Sequence, residues 1–351
     1  MTLLDLLNST GRRKGPRLLG SFLHRVATGL EFSTLIRIAG RRMVTASAGA
    51  PAILNTCGDL EEGLKDPRLL YEAMRFTVEE MELDALCLVA DLSVEAEACG
   101  CQVRFRERDL PAVISHPLEA TEQPGELEIP DPGLDGRMPV FLEAMRLMAK
   151  NYRLLKAAVV TGPFTQAAHL KGPEIYMDSL RNPEGIKPIV DYCQEVTLSF
   201  AEALIGAGAD VIVIAEPSAS LLSPPSYCEL SQRYVEKTVQ AMDKPCILHI
   251  CGDTTHIVEK MWDSGAACIS VDDVDLSWLA EVAPDHVVLA GNIDNTVLLK
   301  SSPDEIRAET TKLLESVRGR KEFFALPGCD LAPETPLENI RAFVQTVKAY
   351  S

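Results

Sequence analysis

Short apolar runs alternate with helical patterns through the second half of the chain, and this alternation most constrains the fold. Each run is rich in Val, Ile and Ala and ends in Gly, Pro or an acidic residue. Continuous apolar strands separated by helices are typical of a parallel sheet that helices cover on both faces. The runs lie at residues 156–164, 209–217, 244–252, 267–273, 286–294 and 322–329.

Two upstream segments extend this pattern towards a closed barrel. Residues 84–93 form another apolar run, and residues 43–54 form a weaker one. Eight strand–helix units in about 300 residues favour a (β/α)8 TIM barrel over an open sheet, and no GxGxxG motif supports a dinucleotide-binding fold. We therefore predict an α/β fold with one TIM-barrel domain over residues 1–351. It carries an N-terminal helical extension over 1–42 and an inserted hairpin and loop over about 101–135.

The composition argues against several classes of partner and favours a cytoplasmic protein. A formal net charge of −17 makes nucleic acid or an anionic membrane a poor partner. The basic run GRRKGPR is expected to be a solvated arm, with a local docking patch as the alternative. No stretch approaches the roughly 20 apolar residues of a membrane span, and no secretory signal pattern opens the chain. Four cysteines in apolar segments are expected to be reduced core residues: Cys87, Cys193, Cys246 and Cys268.

The pair His249-x-Cys251 in LHICGDT is a candidate for half of a metal site. Side chains two residues apart on a strand point to the same side, so both lie at the C-terminal end of their apolar run. Cys329, in ALPGCDLAP, follows the last apolar run and reaches the same end of a barrel, where barrel enzymes build their sites. One imidazole and two thiolates suit Zn²⁺ and leave a fourth position open. On the residues alone, packing of the same side chains in the core is an equally good interpretation.

Four motifs together resemble the uroporphyrinogen decarboxylase superfamily, and most closely its methylcobamide:coenzyme M methyltransferase branch. They are LHICGDT, AEPSASLLSPPSY, GPFTQAAHLKG and LPGCDLAPETPLENIRAFVQTVK, within a resemblance that covers about residues 80–348. The resemblance implies that His249, Cys251 and Cys329 bind zinc, which activates a small thiol such as coenzyme M. It also implies a corrinoid (cobalamin) carried by a partner protein, because this chain contains no DxHxxG cobalamin-binding motif.

Three alternatives accompany this interpretation. Uroporphyrinogen decarboxylases carry an Arg-containing RQAGR-type motif near the N-terminus, whereas this chain reads GPRLLGSFLHRVATGLEF there and has only RIAGRRM at 37–43, so decarboxylation is disfavoured. A corrinoid-dependent demethylase would run the transfer in the opposite direction. A barrel that only stores zinc or scaffolds a complex is the non-enzymatic alternative.

Further polar residues near the ends of the predicted strands are candidates for substrate binding. Glu216, Asp272 and Asn292 are expected to line a wide, open barrel mouth, and Gln166 is expected to approach substrate from the GPFTQAAHLKG loop through Gly162. Either Asp272 or Asp273 is a candidate for a fourth, displaceable zinc ligand, and Asn292 and Asp294 are candidates for outer hydrogen bonds. Helix caps, turns and helix entry are the structural alternatives. The remaining histidines are expected to be structural or exposed: His24, His116, His169, His256 and His286.

Overall fold

Parallel strands form a nearly closed barrel. The computed structural model describes residues 32–119, 124–125 and 127–350. The strands are β1 Met43–Val44, β2 Ala85–Cys87, β3 Val103–Arg106, β4 Asp109–Val113, β5 Leu155–Thr161, β6 Val211–Ala215, β7 Cys246–Ile250, β8 Cys268–Val271, β9 Val288–Ile293 and β10 Phe323–Pro327. Eight of them pair in the order β1-β10-β9-β8-β7-β6-β5-β2. Asp84 N donates to Val44 O at 3.0 Å and brings the two end strands together. The predicted (β/α)8 barrel is confirmed.

Helices connect the strands and cover the outside of the barrel. They are α1 Phe32–Ile38, α2 Gly49–Thr56, α3 Leu60–Lys65, α4 Pro67–Glu79, α5 Val94–Ala98, α6 Met138–Asn151, α7 Pro163–Lys171, α8 Ile175–Arg181, α9 Pro183–Ala207, α10 Pro224–Tyr227, α11 Arg233–Ala241, α12 Val258–Met261, α13 Leu276–Val282, α14 Asn295–Lys300, α15 Pro303–Ser316 and α16 Leu337–Ala349. The sequence marks both ends of α9. Asn182 caps its first turn by accepting the Gly185 N–H, and Gly208 ends it in the left-handed conformation at φ 118°. Short 3₁₀ segments at Pro217–Leu221 and Trp262–Ser264 and a π segment at Cys228–Gln232 complete the connections.

Alternation along the strands separates an outer core from the barrel interior. On β5, Ala158 and Val160 pack outward in the core that the helices share, whereas Ala157 faces inward. The lower interior is a second apolar cluster, to which α1 contributes Phe32. The ring of Phe32 lies 6.5 Å from that of Phe324 on β10. Helix α1 therefore packs its apolar face against the lower part of the barrel.

Two of the predicted strands are much shorter than their apolar runs. The run at 43–54 contains only β1, and α2 begins at Gly49. Pro51 in the first turn of α2 is compatible with a helix start but not with a continued central strand. The run at 84–93 ends as a strand at Cys87, and α5 begins at Val94. Most apolar residues of both segments are nevertheless buried, because the helix starts pack on the barrel.

The inserted segment after α5 forms an antiparallel hairpin in which Val103 pairs with Val113. Residues 120–123 and 126 of this segment lie outside the described residues. The basic run GRRKGPR and His24 also lie outside them, as does the extension up to residue 31. Among the helices that the structure describes, none is both long and apolar enough to cross a membrane.

Candidate metal centre

Three side chains converge at the C-terminal end of the barrel. His249 is the fourth residue of β7, Cys251 follows the end of that strand, and Cys329 lies two residues after the end of β10. His249 Nε2 lies 3.1 Å from Cys251 Sγ, which lies 3.0 Å from Cys329 Sγ. The three ligand atoms all lie within 4.8 Å of one another, so the predicted convergence is confirmed. All ten cysteines are free thiols, so no disulfide competes for these two.

The geometry of this cluster fits one tetrahedral metal ion. Two thiolates that each lie about 2.3 Å from a zinc ion are roughly 3.7 Å apart. The two sulfur atoms lie 3.0 Å apart, so they would need to separate by about 0.7 Å. The donors are one nitrogen and two sulfur atoms, and they leave a fourth position for an exogenous ligand. Nothing but small side-chain movements is therefore needed to bind zinc here.

The two thiols titrate as a pair. The hydrogen bond with Cys251 lowers the pKa of Cys329, and the nearby His249 lowers it further against the opposing effect of burial. The same hydrogen bond, together with burial, raises the pKa of Cys251. Because the two groups share one proton, the pair releases its first proton easily and its second with difficulty.

Ser270 on β8 orients the imidazole. Its Oγ lies 3.0 Å from His249 Nδ1, in hydrogen-bonding contact, and Ser270 is in register with His249 in the parallel pair. Nδ1 is thereby occupied, and Nε2 is the ring nitrogen that faces Cys251. Such outer partners fix the orientation of metal-binding histidines. Ser270 was not among the predicted site residues, although its hydroxyl group stands out as the polar group in the apolar run ACISV.

Asp272 lies between the two cysteine-bearing loops. Its Oδ2 accepts the Gly252 N–H at 3.0 Å, directly after Cys251. A Cβ at Gly328 would lie 2.2 Å from Asp272 Oδ1, so only glycine fits directly before Cys329. Asn292 Nδ2 donates to the carbonyl oxygen of Asp272 at 2.7 Å and holds its backbone. Asp272 and Asn292 therefore support the cluster from outside, whereas Asp273 is exposed.

The segment that carries Cys329 is held by residues that the sequence analysis also missed. Asn295 Oδ1 accepts the Cys329 N–H at 3.3 Å, and its Nδ2 donates to Asp330 O at 2.7 Å. Ser47 donates a short hydrogen bond to Asp330 Oδ1, and its carbonyl oxygen accepts the Leu331 N–H at 2.9 Å. Burial raises the pKa of Asp330 to about 8, although the bond from Ser47 lowers it. These contacts fix the backbone on both sides of Cys329.

Glu216 anchors helix α7. Its fully buried carboxylate accepts the N–H groups of Phe164 and Thr165, both at 2.8 Å, and the Ser231 hydroxyl at 3.0 Å. A Cβ at Gly162 would lie 2.3 Å from Glu216 Oε2, which explains the glycine before the helix. Burial raises the pKa of Glu216, and these hydrogen bonds lower it. The carboxylate therefore accepts hydrogen bonds from backbone N–H groups in the first turn of α7, which have no acceptor within the helix.

The remaining predicted residues, Gln166 and Asp294, make hydrogen bonds with groups other than the three ligands. Gln166 is fully buried on α7, and its Nε2 lies 3.5 Å from Cys99 Sγ. Asp294 caps α14 by accepting the Thr296 N–H at 2.6 Å, which is the structural alternative for that residue. Of the histidines that the structure describes, only His249 belongs to a group that could hold a metal.

A cavity of about 150 Å³ lies inside the barrel. His249, Cys251 and Cys329 line its upper end. Glu216, Gln166, Asp272 and Asn292 are not among its lining residues, and their roles in substrate binding stay predictions. Cys87 lines the cavity and is half-buried, whereas Cys193, Cys246 and Cys268 are buried as predicted. Within the described ranges, no Lys or Arg lines the cavity.

The chain is similar to methyltransferases in both sequence and fold. The family model of uroporphyrinogen decarboxylase (URO-D) matches residues 36–350. Methylcobamide:CoM methyltransferase MtaA of Methanosarcina barkeri is 31% identical over 302 residues, 82% of this chain and 86% of the relative. Methylcobamide:CoM methyltransferase MtbA of Methanosarcina mazei is 30% identical over 279 residues, which are 76% of this chain and 80% of the relative. A solved structure of a methyltransferase from Methanosarcina mazei has a TM-score of 0.83 at 27% identity and covers 93% of this chain and 97% of that one. The chain therefore belongs to the uroporphyrinogen decarboxylase (URO-D) family, among its methyltransferases.

Proposed function

We propose that this protein is a zinc-dependent methyltransferase that exchanges a methyl group between a corrinoid carried by a partner protein and a small thiol bound in the barrel. The observation that carries the proposal is the convergence of His249, Cys251 and Cys329 within 4.8 Å. The names of the relatives, which are methylcobamide:CoM methyltransferases, support the corrinoid and the thiol. Ten free cysteines suit the reducing cytoplasm that we expect for it.

The residue types of the cluster suit a sulfur nucleophile. Zinc bound to them would replace the proton of an incoming thiol, whose pKa is otherwise about 8.5, and hold the sulfur as a thiolate at neutral pH. Two Cys ligands keep the effective charge of the site low, which leaves an incoming thiolate electron-rich. A site of three histidines would instead favour a bound hydroxide and hydrolysis.

The proposed reaction is an in-line displacement at the methyl carbon. The thiolate sulfur forms the new S–C bond while the Co–C bond of the methylcorrinoid breaks, and its electron pair remains on cobalt, which passes from Co(III) to Co(I). The thiol proton leaves to solvent. The reverse reaction, in which a Co(I) corrinoid demethylates a methylated substrate, uses the same residues in the same places. Ser270 and Asp272 keep the imidazole and the Cys251 loop fixed during either direction.

The charge of the cavity disfavours the decarboxylase alternative. A porphyrinogen with several carboxylates needs several cationic groups, but the described residues that line the cavity include neither Lys nor Arg. Decarboxylation also gives no reason for three side chains whose ligand atoms could bind one metal ion.

Metal content and methyl transfer test the proposal together. We expect about one zinc per chain in the purified protein and a large loss of zinc in Cys329→Ser, because Ser is a far poorer ligand for a borderline-soft ion. Cys57→Ser, which changes a cysteine outside the cluster, is the matched control and should retain its zinc. Methylcob(III)alamin mixed with small thiols should then show the absorbance change of demethylation only with zinc-loaded protein. Wild-type protein that binds no metal, or that leaves methylcobalamin unchanged with every thiol and takes no methyl group in reverse, would contradict the proposal.

A further inference from the structure

The barrel interior below the metal ligands is a binding site with a definite chemical character. Small side chains such as Ala85, Ala157 and Ala215 face a space of about 150 Å³ that bulkier residues would fill. Phe32 and Phe324 are among the aromatic residues that line it. The cavity reaches His249, Cys251 and Cys329, so a molecule held in it can place one atom beside the ligand atoms.

The described lining of this cavity offers no positive charge. Its residues are apolar except for the three ligands, a few hydroxyl groups, the Cys87 thiol and the Asp330 carboxyl. Asp330 already accepts the Ser47 hydroxyl, and it is an acid rather than a base. An anionic group that entered the cavity would lose its water without gaining a cationic partner.

Buried cations near the strands are committed to acids elsewhere. Lys156 is 2% exposed and donates to Asp210 at 2.6 Å, on the side of β5 away from the cavity. Arg137 pairs with Asp91 and with Glu97, in the latter case at 2.6 Å. Moving either cation inward would leave a buried carboxylate without its partner, which is strongly unfavourable.

We propose that this cavity binds the small partner in methyl exchange, and that this compound is an uncharged thiol, or its methylated thioether, whose apolar group is no larger than one aromatic ring. The inference rests on the proposed function, because that function supplies the thiol. The size limit follows from the volume, since an apolar cavity of about 150 Å³ in another protein binds benzene. The charge limit follows from the described lining. It excludes thiols that carry a sulfonate or carboxylate, among them 2-mercaptoethanesulfonate, the coenzyme M of the relatives' names, so we infer that this chain uses a different thiol from those relatives.

Calorimetric titration of the zinc-loaded protein tests the charge limit. Propane-1-thiol and 2-mercaptoethanesulfonate are both short primary thiols, but only the second carries an anion. We expect propane-1-thiol to bind at least about 100-fold more tightly, because the sulfonate would be buried without a cation. Equal binding, or tighter binding of the sulfonate, would overturn the inference.

A filled cavity tests the location. Ala157→Leu adds apolar atoms inside the barrel and should weaken binding of propane-1-thiol by at least about tenfold while zinc content stays the same. Ala308→Leu makes the same change at an exposed position of α15 and should leave binding unchanged. If Ala157→Leu does not fold, the smaller substitution Ala157→Val takes its place in this test. Unchanged affinity in the folded Ala157 variants would place the thiol elsewhere and overturn the inference.

Benzene and benzenesulfonate separate this inference from the proposed function, because neither needs zinc or a corrinoid. In metal-free protein, benzene should bind and benzenesulfonate should not. That result would support an uncharged ligand in the cavity even if methylcobalamin were never demethylated. Binding of benzenesulfonate comparable to that of benzene, or no binding of benzene, would overturn the inference even if methyl transfer were observed.

Discussion

Replacement of Asp272 by alanine should weaken metal binding without removing a ligand. The Asp272 carboxylate accepts the Gly252 N–H at 3.0 Å next to Cys251, and it packs against Gly328 next to Cys329. Asp272→Ala therefore frees a backbone N–H and opens space between the two loops. Loss of a hydrogen bond to a charged acceptor lowers the free energy of unfolding by about 1.5–3 kcal/mol.

Metal affinity should fall as well, because the backbone next to both cysteines loses its support. Changes in such outer partners weaken metal affinity by about 10- to 100-fold. Competition with a chromophoric chelator measures the zinc dissociation constant directly. Asp273→Ala is the matched control, since Asp273 is the neighbouring acid and is exposed. It should change neither zinc affinity nor stability.

Gly328→Ala gives an independent test of the same contact. Its Cβ would lie 2.2 Å from Asp272 Oδ1, so this variant should also bind zinc more weakly. In the double variant the clash disappears with the carboxylate, so the loss of affinity should be clearly less than the sum of the single losses. Additive losses, or zinc affinity within twofold of wild type in Asp272→Ala, would refute the role of Asp272 between the loops.

Three further predictions concern the barrel around the site. Glu216→Gln should lower the free energy of unfolding by about 1–3 kcal/mol in chemical denaturation, because an amide NH₂ group replaces an oxygen that accepts hydrogen bonds from buried donors. Glu202→Gln, at an exposed position, is the control and should leave the free energy of unfolding unchanged. Burial raises the pKa of Glu95 from 4.5 to about 7. Between these two pH values the folded state keeps a proton that the unfolded state releases. The free energy of unfolding should therefore fall by up to about 3 kcal/mol as the pH rises through this range. Denaturation at several pH values should show that Glu95→Gln removes this fall; an unchanged slope would contradict it. In thermal unfolding of metal-free protein, Ala157→Leu should not lower Tm if the added side chain occupies the cavity.

The sequence was sufficient to predict the barrel and the three converging ligands, because both depend on local patterns. Apolar runs set which segments are strands, and parallel strands in a closed barrel end on the same side. A side chain at the end of β7 and one after β10 must then lie at one mouth, whatever the register. The shared chemistry of His249, Cys251 and Cys329 made this end of the barrel a candidate metal site. On the residues alone, core packing was an equally good interpretation, and the family resemblance favoured the metal.

Position along a strand does not by itself determine the direction of a side chain or the length of the strand. Glu216 follows β6 as predicted, but its carboxylate turns to the N–H groups of α7 instead of the cavity. The Ala-rich run at 43–54 is apolar enough for a buried strand or a buried helix, and periodicity does not separate the two in so short a segment. The contact of Ser47 with Asp330 joins residues 283 positions apart, so only the folded register brings them together.

The size of the cavity inside the barrel is itself an argument for a ligand there. Barrels of this kind are normally filled by layers of bulky side chains, and a void destabilises a core by roughly 24 cal/mol per Å³. At that rate a closed apolar cavity of about 150 Å³ would lower the free energy of unfolding by at most about 4 kcal/mol, a large fraction of the stability of an ordinary domain. Single substitutions at Ala85, Ala157 or Ala215 would fill part of it, yet each of these positions carries alanine. A bound apolar molecule of matching size would restore the missing contacts, which supports our inference that this cavity takes a small uncharged partner beside His249, Cys251 and Cys329.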